Sequence, residues 1–199
     1  MSDIRKCDFL VIGTGISGLL FSLKAAKQGR VCLLTKKAMS DSATSKAQGG
    51  IAAVMSDEDS LEAHIEDTVR VGAGLCHRDV VENIIRQGPA VIKELVEMGV
   101  DFCENEDCDE FDLGMEGGHS HRRVLHVKDH TGADIEKALI AKVRKESNIE
   151  IYEHHMAVNL FTHNARVMGA YVLDIKTGMI DPMDLNVGRA EEYVPGVTA

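Results

Sequence analysis

A glycine-rich turn between two apolar segments constrains the fold of this chain more than any other feature. Residues 8–12 read D-F-L-V-I, and the six residues that follow read G-T-G-I-S-G, which matches the spacing G-x-G-x-x-G. The first glycine permits a tight bend, the second lets the backbone approach a pyrophosphate, and the third lets a helix pack on the strand. The free N–H groups and the dipole of that helix favour an anion. The predicted dinucleotide-binding residues are Gly13, Thr14, Gly15, Ile16, Ser17 and Gly18.

The segments around this turn predict a βαβ unit. The apolar run 8–12 is typical of a buried strand, and residues 16–28 place apolar side chains at helical spacing, with Gly29 as the expected C-cap. Residues 31–35 follow as a second buried strand. Such a crossover is right-handed and joins parallel strands. The sequence therefore predicts an α/β, Rossmann-like fold with a parallel sheet.

Three further helices are predicted downstream. Ser60 precedes a helix that ends at Gly72, residues 79–99 carry apolar side chains at helical spacing, and Thr131 is expected to cap a third helix. Pro89 lies inside the second of these and predicts a kink or a division into two helices.

The rest of the chain predicts loops and a small antiparallel β meander. Residues 101–118 are acidic and predict an exposed loop or hairpin, and residues 181–199 have weak periodicity and predict a disordered tail. The strands of the meander are predicted over residues 149–152, 157–162 and 167–173.

Charge and cysteine content exclude several classes of protein. The 199 residues contain 22 Lys and Arg against 32 Asp and Glu, a net charge of −10, which disfavours binding to nucleic acid or to an anionic membrane. No apolar run approaches the roughly 20 residues of a membrane span. The five cysteines are an odd number without a secretion signal, so reduced thiols and a cytoplasmic location are expected.

The identity of the dinucleotide depends on the end of the second strand. NAD sites usually place Asp or Glu there to bind the adenosine ribose, whereas this chain has Thr35, Lys36 and Lys37. The missing carboxylate weakens an NAD assignment. The lysines leave both NADP and FAD open, and spacing alone does not separate these two cofactors.

A second motif resolves this choice through a family resemblance. Residues 43–54 read A-T-S-K-A-Q-G-G-I-A-A-V, and together with the first motif they resemble the succinate dehydrogenase/fumarate reductase flavoprotein superfamily. There an A-Q-G-G-I loop lies along the flavin, so the resemblance implies FAD. Respiratory members attach FAD through a histidine just ahead of this motif, and Ala43 at that position implies non-covalent FAD. The residues implied at the cofactor are Thr35, Lys36, Ala43, Thr44, Ala47, Gln48, Gly49 and Gly50.

Within the superfamily the chain is similar to the L-aspartate oxidase family. The residues that carry this likeness are E-D-T at 66–68, G-A-G-L-C at 72–76, E-G-G-H-S-H-R-R-V-L-H at 116–126 and D-H-T-G at 129–132. The likeness implies oxidation of L-aspartate to iminoaspartate, with oxygen or fumarate as electron acceptor. Quinolinate synthase is then the implied partner, as the next enzyme of NAD biosynthesis.

The same likeness implies roles for individual residues. Glu116 is expected to orient the substrate by meeting its α-ammonium group, with Gln48 and His119 also contacting substrate. Ala157 and Val158 are expected to contact the adenine through backbone atoms. The neighbouring cations could attract a dicarboxylate or the pyrophosphate, although a structural role is equally expected for each. These cations are His119, His121, Arg122, Arg123 and His126.

Length limits what this chain is expected to do alone. Residues 1–199 match the N-terminal part of a FAD-binding domain, whereas the capping domain, the C-terminal FAD segment and the catalytic arginine of the family have no match here. Two alternatives therefore stay open, an inactive flavin-binding fragment and a split subunit of a fumarate reductase/succinate dehydrogenase-type flavoprotein. A third is an NADP-binding protein that uses Lys36 and Lys37. A zinc site of Cys103, Cys108, His119 and His121 has loose spacing, so no metal is predicted.

Overall fold

The computed structural model of the chain describes residues 5–105, 110–128 and 130–186. Contacts divide the chain into two units, the first formed by residues 1–44 and 139–199 and the second by residues 45–138. The helices are α1 (Ile16–Ala25), α2 (Leu61–Val71), α3 (Arg78–Glu97) and α4 (Thr131–Val143), with a short 3-10 helix at Thr44–Lys46. The strands are β1 (Arg5–Cys7), β2 (Phe9–Ile12), β3 (Val31–Thr35), β4 (Ile51–Ala52), β5 (Leu113–Gly114), β6 (Val124–Leu125), β7 (Ile149–Glu153), β8 (His155–His163), β9 (Arg166–Asp174) and β10 (Ile180–Leu185).

The predicted βαβ unit forms one sheet of the first unit. Strands β2, β3 and β7 lie in that order, and both pairs are parallel. Every residue of β3 is buried, as expected for the central strand of a parallel sheet. The α/β fold class is therefore confirmed.

A second sheet of the first unit contains the predicted antiparallel meander. Its strand order is β1-β10-β9-β8, with β10 antiparallel to β9 and β9 antiparallel to β8. Strand β10 also pairs with β1 in parallel, so residues 180–185 form a central strand. The prediction of a disordered tail is wrong for these residues, because pairing on both sides overrides the low strand propensity of I-D-P-M-D-L. Residues 187–199 lie outside the described residues.

Helix α1 ends earlier than its spacing predicts. It stops at Ala25 with Ala26 as the C-cap, so the prediction that Gly29 closes the helix is wrong. Gly29 has a different reason to be glycine, since a Cβ there would lie 2.7 Å from the Asp8 Oδ2 atom. That carboxylate accepts a hydrogen bond of 2.8 Å from the Arg30 amide at the start of β3.

The second unit combines α2 and α3 with a three-stranded antiparallel sheet of order β4-β6-β5. The Ser60 hydroxyl accepts from the Ala63 amide and caps α2 as predicted. Helix α3 begins at Arg78 and runs through Pro89 as one helix, so a division into two helices is wrong. Buried side chains on both sides of the proline, Ile85 and Ile92, explain this continuity, because their burial outweighs one lost helical hydrogen bond.

Two smaller predictions in this unit also have an outcome. An antiparallel bridge joins Glu104 to Phe111, so the acidic segment takes the hairpin form within its described part. Thr131 is the first residue of α4, so the prediction that it caps the helix from outside is wrong. Its hydroxyl accepts from the Val127 amide at 3.0 Å. The hydroxyl thus organises the preceding turn. No helix among residues 5–105, 110–128 and 130–186 is long and apolar enough to cross a bilayer.

Candidate functional site

The turn after β2 has the geometry that a phosphate-binding loop requires. Gly13 has a φ of +109°, and its amide donates to the Leu34 carbonyl oxygen at 2.8 Å. A Cβ on Gly18 would lie 2.1 Å from the Gly13 carbonyl oxygen. The bend and the close approach of α1 to the turn therefore both depend on glycine.

The N-terminus of α1 leaves donors available for an anion. Gly15 is the N-cap in an extended conformation and, as a glycine, has no side chain that could cap the helix. The Ile16 amide donates to the Thr44 hydroxyl at 3.1 Å, whereas the amides of Ser17 and Gly18 precede the first intrahelical bond, from Leu19 to Gly15. An anion placed at this turn would meet free N–H groups and the positive end of the helix dipole.

A cavity of about 400 Å³ opens beside this turn within the first unit. Four other predicted residues of this unit are chain neighbours of the lining. They are Ile16, Ser17 and Gly18 at the start of α1, and Val158 after Ala157 on β8. Asp41, His155 and other lining residues were not among the predicted ones. The predicted residues that the cavity brings together are Gly13, Thr14, Gly15, Thr35, Lys36, Ala43, Thr44 and Ala157.

The loop that follows β3 is held in place at Met39. The Thr14 hydroxyl donates to the Met39 carbonyl oxygen at 3.1 Å, and the Met39 amide donates to the Glu153 carboxylate at 2.7 Å. Lys37 pairs with Asp41 at 2.7 Å, which weakens the alternative in which both lysines bind a ribose phosphate. Sequence analysis missed Glu153, and the order of the strands was needed to place the end of β7 beside this loop.

Strand β8 supplies backbone at the opposite side of the cavity. The register between β8 and β9 shifts between Ala157 and Asn159, so Val158 is the extra residue of a β-bulge and is half exposed. A bulge leaves backbone polar groups outside the ladder. This geometry fits the predicted backbone contacts of Ala157 and Val158 with an adenine. His155, which prediction missed, is oriented by a 2.7 Å contact between its Nδ1 atom and the Glu153 carbonyl oxygen.

The A-Q-G-G segment belongs to the second unit. The Ala47 carbonyl oxygen accepts from the Gly132 amide at 3.0 Å, and Gly50 has a φ of +109° with its Cα so close to β6 that a Cβ would lie 2.3 Å from the Leu125 carbonyl oxygen. Gln48 and Gly49 are exposed, and a Cβ on Gly49 would meet no atom within 4 Å. The segment is fixed at both ends and open in the middle, as a backbone surface for a flavin would be.

The two predicted substrate residues of the E-G-G-H stretch lie in one turn. The His119 amide donates to the Glu116 carbonyl oxygen at 3.1 Å, and the Glu116 amide approaches the His119 Nδ1 atom at 3.4 Å. The Glu116 side chain is exposed and Gly118 has a φ of +96°. The turn thus leaves the Glu116 carboxylate exposed to solvent. Gln48 lies in a separate segment of the same unit.

Arg123 has a structural role instead of attracting a substrate. Its side chain is fully buried and forms two 2.9 Å hydrogen bonds to Asp59 and one of 3.0 Å to Asp67. With both buried carboxylates engaged, this guanidinium is not available to a dicarboxylate. The dicarboxylate prediction is therefore corrected for Arg123.

The other cations of this stretch face acidic surroundings. Arg122 donates to the Leu113 carbonyl oxygen at 3.1 Å, and His126 lies 3.5 Å from Asp112. His121 and Arg122 line a cavity of about 530 Å³ in the second unit. A dicarboxylate would be repelled there by the acidic residues that share the lining, Glu58, Asp59, Glu110 and Asp112.

The zinc alternative involves a residue that lies outside the described part of the chain, Cys108. Cys103 Sγ accepts from the Lys128 amide at 3.3 Å. Within residues 5–105, 110–128 and 130–186, no three His, Cys, Asp or Glu side chains are grouped so that they could hold a metal ion.

Two buried groups beneath the Glu116 turn have shifted pKa values. Burial lowers the pKa of His64, and the charges of Arg123 and His119 lower it further. Burial raises the pKa of Asp67, but hydrogen bonds from Arg70 and Ser120 and the charge of Arg123 outweigh it and hold that pKa well below its usual range. His64 is therefore neutral and Asp67 ionised at neutral pH.

The neutral form of His64 should make the stability of the second unit depend on pH. Since the pKa is lower in the folded than in the unfolded state, the contribution of His64 is present above the unfolded pKa of about 6.5 and is lost as pH falls below it. We expect the free energy of unfolding to fall as the pH drops below about 6.5, and His64→Phe to flatten this dependence. Urea denaturation of both proteins at several pH values measures the difference, and parallel curves would contradict it.

Comparisons with known proteins show the family to which the chain belongs. The family described as FAD binding domain matches residues 8–187. An L-aspartate oxidase from Nicotiana tabacum is 46% identical over 161 residues, covering 81% of this chain and 25% of that protein. One from Pseudomonas aeruginosa is 40% identical over 193 residues, covering 91% of this chain and 36% of that protein. The chain thus spans about a quarter to a third of the length of these curated relatives.

Solved structures extend the likeness to the fold. The quinol fumarate reductase of E. coli superposes with a TM-score of 0.87 at 25% identity, covering 92% of this chain and 32% of that chain. The Sdh1 complex of Mycobacterium smegmatis gives a TM-score of 0.84 at 26% identity, covering 91% and 33%. These likenesses agree with the fold class described above.

Proposed function

The chain belongs to the FAD binding domain family, and on that premise we propose that it is the N-terminal, flavin-binding part of an L-aspartate oxidase. The observation that carries the proposal is the glycine-lined helix N-terminus at the cavity beside β2 in the first unit. The exposed Glu116 on a turn of the second unit supports it. Curated L-aspartate oxidases at 40–46% identity support the choice of substrate.

The residues of the first unit fit FAD. Gly15 would leave room for a pyrophosphate at the start of α1, Gly18 lets α1 pack against the turn, and the bulge at Val158 would offer backbone atoms to an adenine. In the second unit, considered by itself, Gly49 has an open backbone of the kind that a flavin ring could contact. The chemistry that bound FAD supplies is acceptance of a hydride from the Cα of L-aspartate, with oxygen or fumarate as the final acceptor. Ala43 at the position of the covalent histidine supports non-covalent binding.

Glu116 would bind the α-ammonium group of the substrate. The turn has one backbone hydrogen bond and one contact between the Glu116 amide and the His119 ring, so its exposed carboxylate would be a charge-assisted partner at a defined position. His119 lies in the same turn, where its Nδ1 atom faces the Glu116 amide, and would add a second polar contact. The groups that bind the substrate carboxylates are proposed to come from the sequence that the longer relatives have in addition.

The chain is proposed to act as part of a larger assembly. Its relatives are about three to four times as long as the segment they share with it, so the capping domain and the second FAD segment would come from further sequence. We call this chain together with that remaining sequence the completed enzyme. An inactive flavin-binding fragment, or a subunit of a split fumarate reductase-type flavoprotein, is the second candidate, favoured by the same short coverage.

The visible absorption spectrum of the purified chain tests the proposal first. A yellow protein that releases FAD after acid precipitation would establish that these residues bind the cofactor without covalent attachment. Turnover of L-aspartate by that preparation would then favour the oxidase over the inactive fragment. A colourless protein that stays colourless when FAD is added would contradict flavin binding by this part alone.

Glu116→Gln in the completed enzyme tests the substrate role. We expect the KM for L-aspartate to rise at least tenfold, because a charge-assisted hydrogen bond is worth about 1.5–3 kcal/mol, with flavin content unchanged. Steady-state kinetics and the flavin-to-protein absorbance ratio measure both quantities. An unaltered KM would remove Glu116 from the substrate site.

Cellular context follows from this activity. The product iminoaspartate would feed quinolinate synthase, which we propose as a partner in NAD biosynthesis. A cytoplasmic location stays a prediction from the sequence, and the relative from Nicotiana tabacum is named as chloroplastic.

A further inference from the structure

Charged groups of α2 fasten the turn that carries Glu116. Asp67 Oδ2 accepts from both the amide and the hydroxyl of Ser120, each at 2.7 Å. The Arg70 Nη2 atom donates to the Gly118 carbonyl oxygen at 2.8 Å and to Asp67 Oδ1 at 2.8 Å. Two residues one helical turn apart therefore hold the backbone directly after Glu116.

The turn also packs closely against α2. Gly118 has a φ of +96°, and a Cβ there would lie 2.6 Å from the Val71 Cγ2 atom. Asp67 is buried and bound to Arg123, so it provides a fixed anchor, whereas the Arg70 side chain is 64% exposed. Arg70 thus reaches over the helix surface to clamp the turn.

We propose that Asp67 and Arg70 are positioning residues that set recognition of the substrate amine by fixing the carboxylate of Glu116. This inference rests on the proposed function, in which that carboxylate meets the α-ammonium group. A charge-assisted hydrogen bond depends on distance and angle, so a displaced Glu116 carboxylate would bind the ammonium group less tightly. The clamp keeps the Glu116 backbone at a fixed position.

Selectivity between ligands distinguishes this role from general support of the fold. L-Aspartate and succinate have two carboxylates in common and differ in the α-ammonium group. Loss of the clamp should therefore weaken the binding of L-aspartate, which depends on Glu116. The binding of succinate, which has no ammonium group, should be unchanged. Damage to the whole site would weaken both ligands.

Arg70→Ala in the completed, flavin-loaded enzyme is the decisive variant, because an exposed side chain can be removed at small cost to folding. We expect the KM for L-aspartate to rise about tenfold, as for loss of one charge-assisted hydrogen bond, while kcat changes little and the inhibition constant of succinate stays within about twofold. Arg70→Lys should restore part of the loss, since an ammonium group can reach one acceptor but lacks the fork of a guanidinium.

A matched control is an arginine that forms an ion pair with α2 but does not contact the turn. Arg86 on α3 forms an exposed ion pair with Glu62 on α2 at 3.0 Å. Arg86→Ala removes a guanidinium from a helix surface and leaves the turn unchanged. The KM for L-aspartate and the inhibition constant of succinate should therefore stay at their wild-type values.

Amide hydrogen exchange on the purified chain tests the clamp without any ligand. Exchange of the Ser120 and His119 amides should accelerate in Arg70→Ala and in Asp67→Asn, and stay unchanged in Arg86→Ala. Unchanged exchange in the first two variants, or an equal loss of L-aspartate and succinate affinity, would overturn the inference. If Glu116→Gln raises the KM and Arg70→Ala does not, the inference fails and the proposed function stands. If neither variant raises it, the proposed role of Glu116 fails.

Discussion

Gly15→Val should lower the affinity for FAD at least a hundredfold while the chain stays folded. Gly15 has an extended backbone that valine can adopt, and the added Cβ would lie 3.4 Å from the Thr44 hydroxyl, between two residues that line the cavity. The new methyl groups would occupy the space in which the second glycine of this motif admits a pyrophosphate. Flavin fluorescence titration measures the affinity, and far-ultraviolet circular dichroism reports the fold.

Variants at two other glycines serve as comparisons for Gly15→Val. Gly88 lies in α3, where a Cβ would make an ordinary 3.5 Å contact with Ala53, so Gly88→Ala should leave FAD affinity unchanged. Gly18→Ala should instead disturb the first unit itself, because the Cβ would collide with the Gly13 carbonyl oxygen. Retained FAD affinity in Gly15→Val would mean that the cofactor does not approach this turn.

Arg123→Met should destabilise the second unit by about 3–5 kcal/mol, because removing one partner leaves buried charge uncompensated. Asp59 is 1% exposed and bonded to this guanidinium through both of its oxygens, so it would become a carboxylate without its cation. Equilibrium denaturation in urea measures the loss of free energy of unfolding.

Two variants separate buried charge from simple loss of a side chain. Arg86→Met removes an exposed ion pair and should cost less than about 1 kcal/mol. Adding Asp59→Asn to Arg123→Met should recover part of the lost stability, since one uncompensated carboxylate is then neutral. A double variant less stable than Arg123→Met would argue against the charge explanation.

The sequence predicts the local elements of the fold better than their assembly. The βαβ unit and the cap at Ser60 follow from spacing and capping rules. Strand β10 cannot be predicted in this way, because its proline and two aspartates disfavour a strand. Its strand conformation comes from pairing with β1 and β9. The sheet order that places β7 beside β3 is likewise a property of the assembled chain.

The candidate site divides in the same way. Glycine positions such as Gly13 and Gly18 can be found from the motif because backbone geometry restricts them to one residue type. The partners of Met39 and Arg123 could not, since Glu153, Asp59 and Asp67 are distant in sequence and no local pattern marks them. In the sequence Arg123 lies next to histidines and another arginine, a pattern typical of an exposed segment. Only its complete burial in the structure identifies it as the cation of an internal ion cluster.

The discontinuity of the first unit has a consequence for biosynthesis. Strand β3 emerges from the ribosome early, yet its second neighbour β7 follows only after the whole of residues 45–138, and β1 waits still longer for β10. During that interval the unpaired edge of an apolar nascent strand is open to misassociation. The interposed segment is contiguous and can complete its own contacts first. The vulnerable period in the synthesis of this protein is therefore set by the translation time of its second unit.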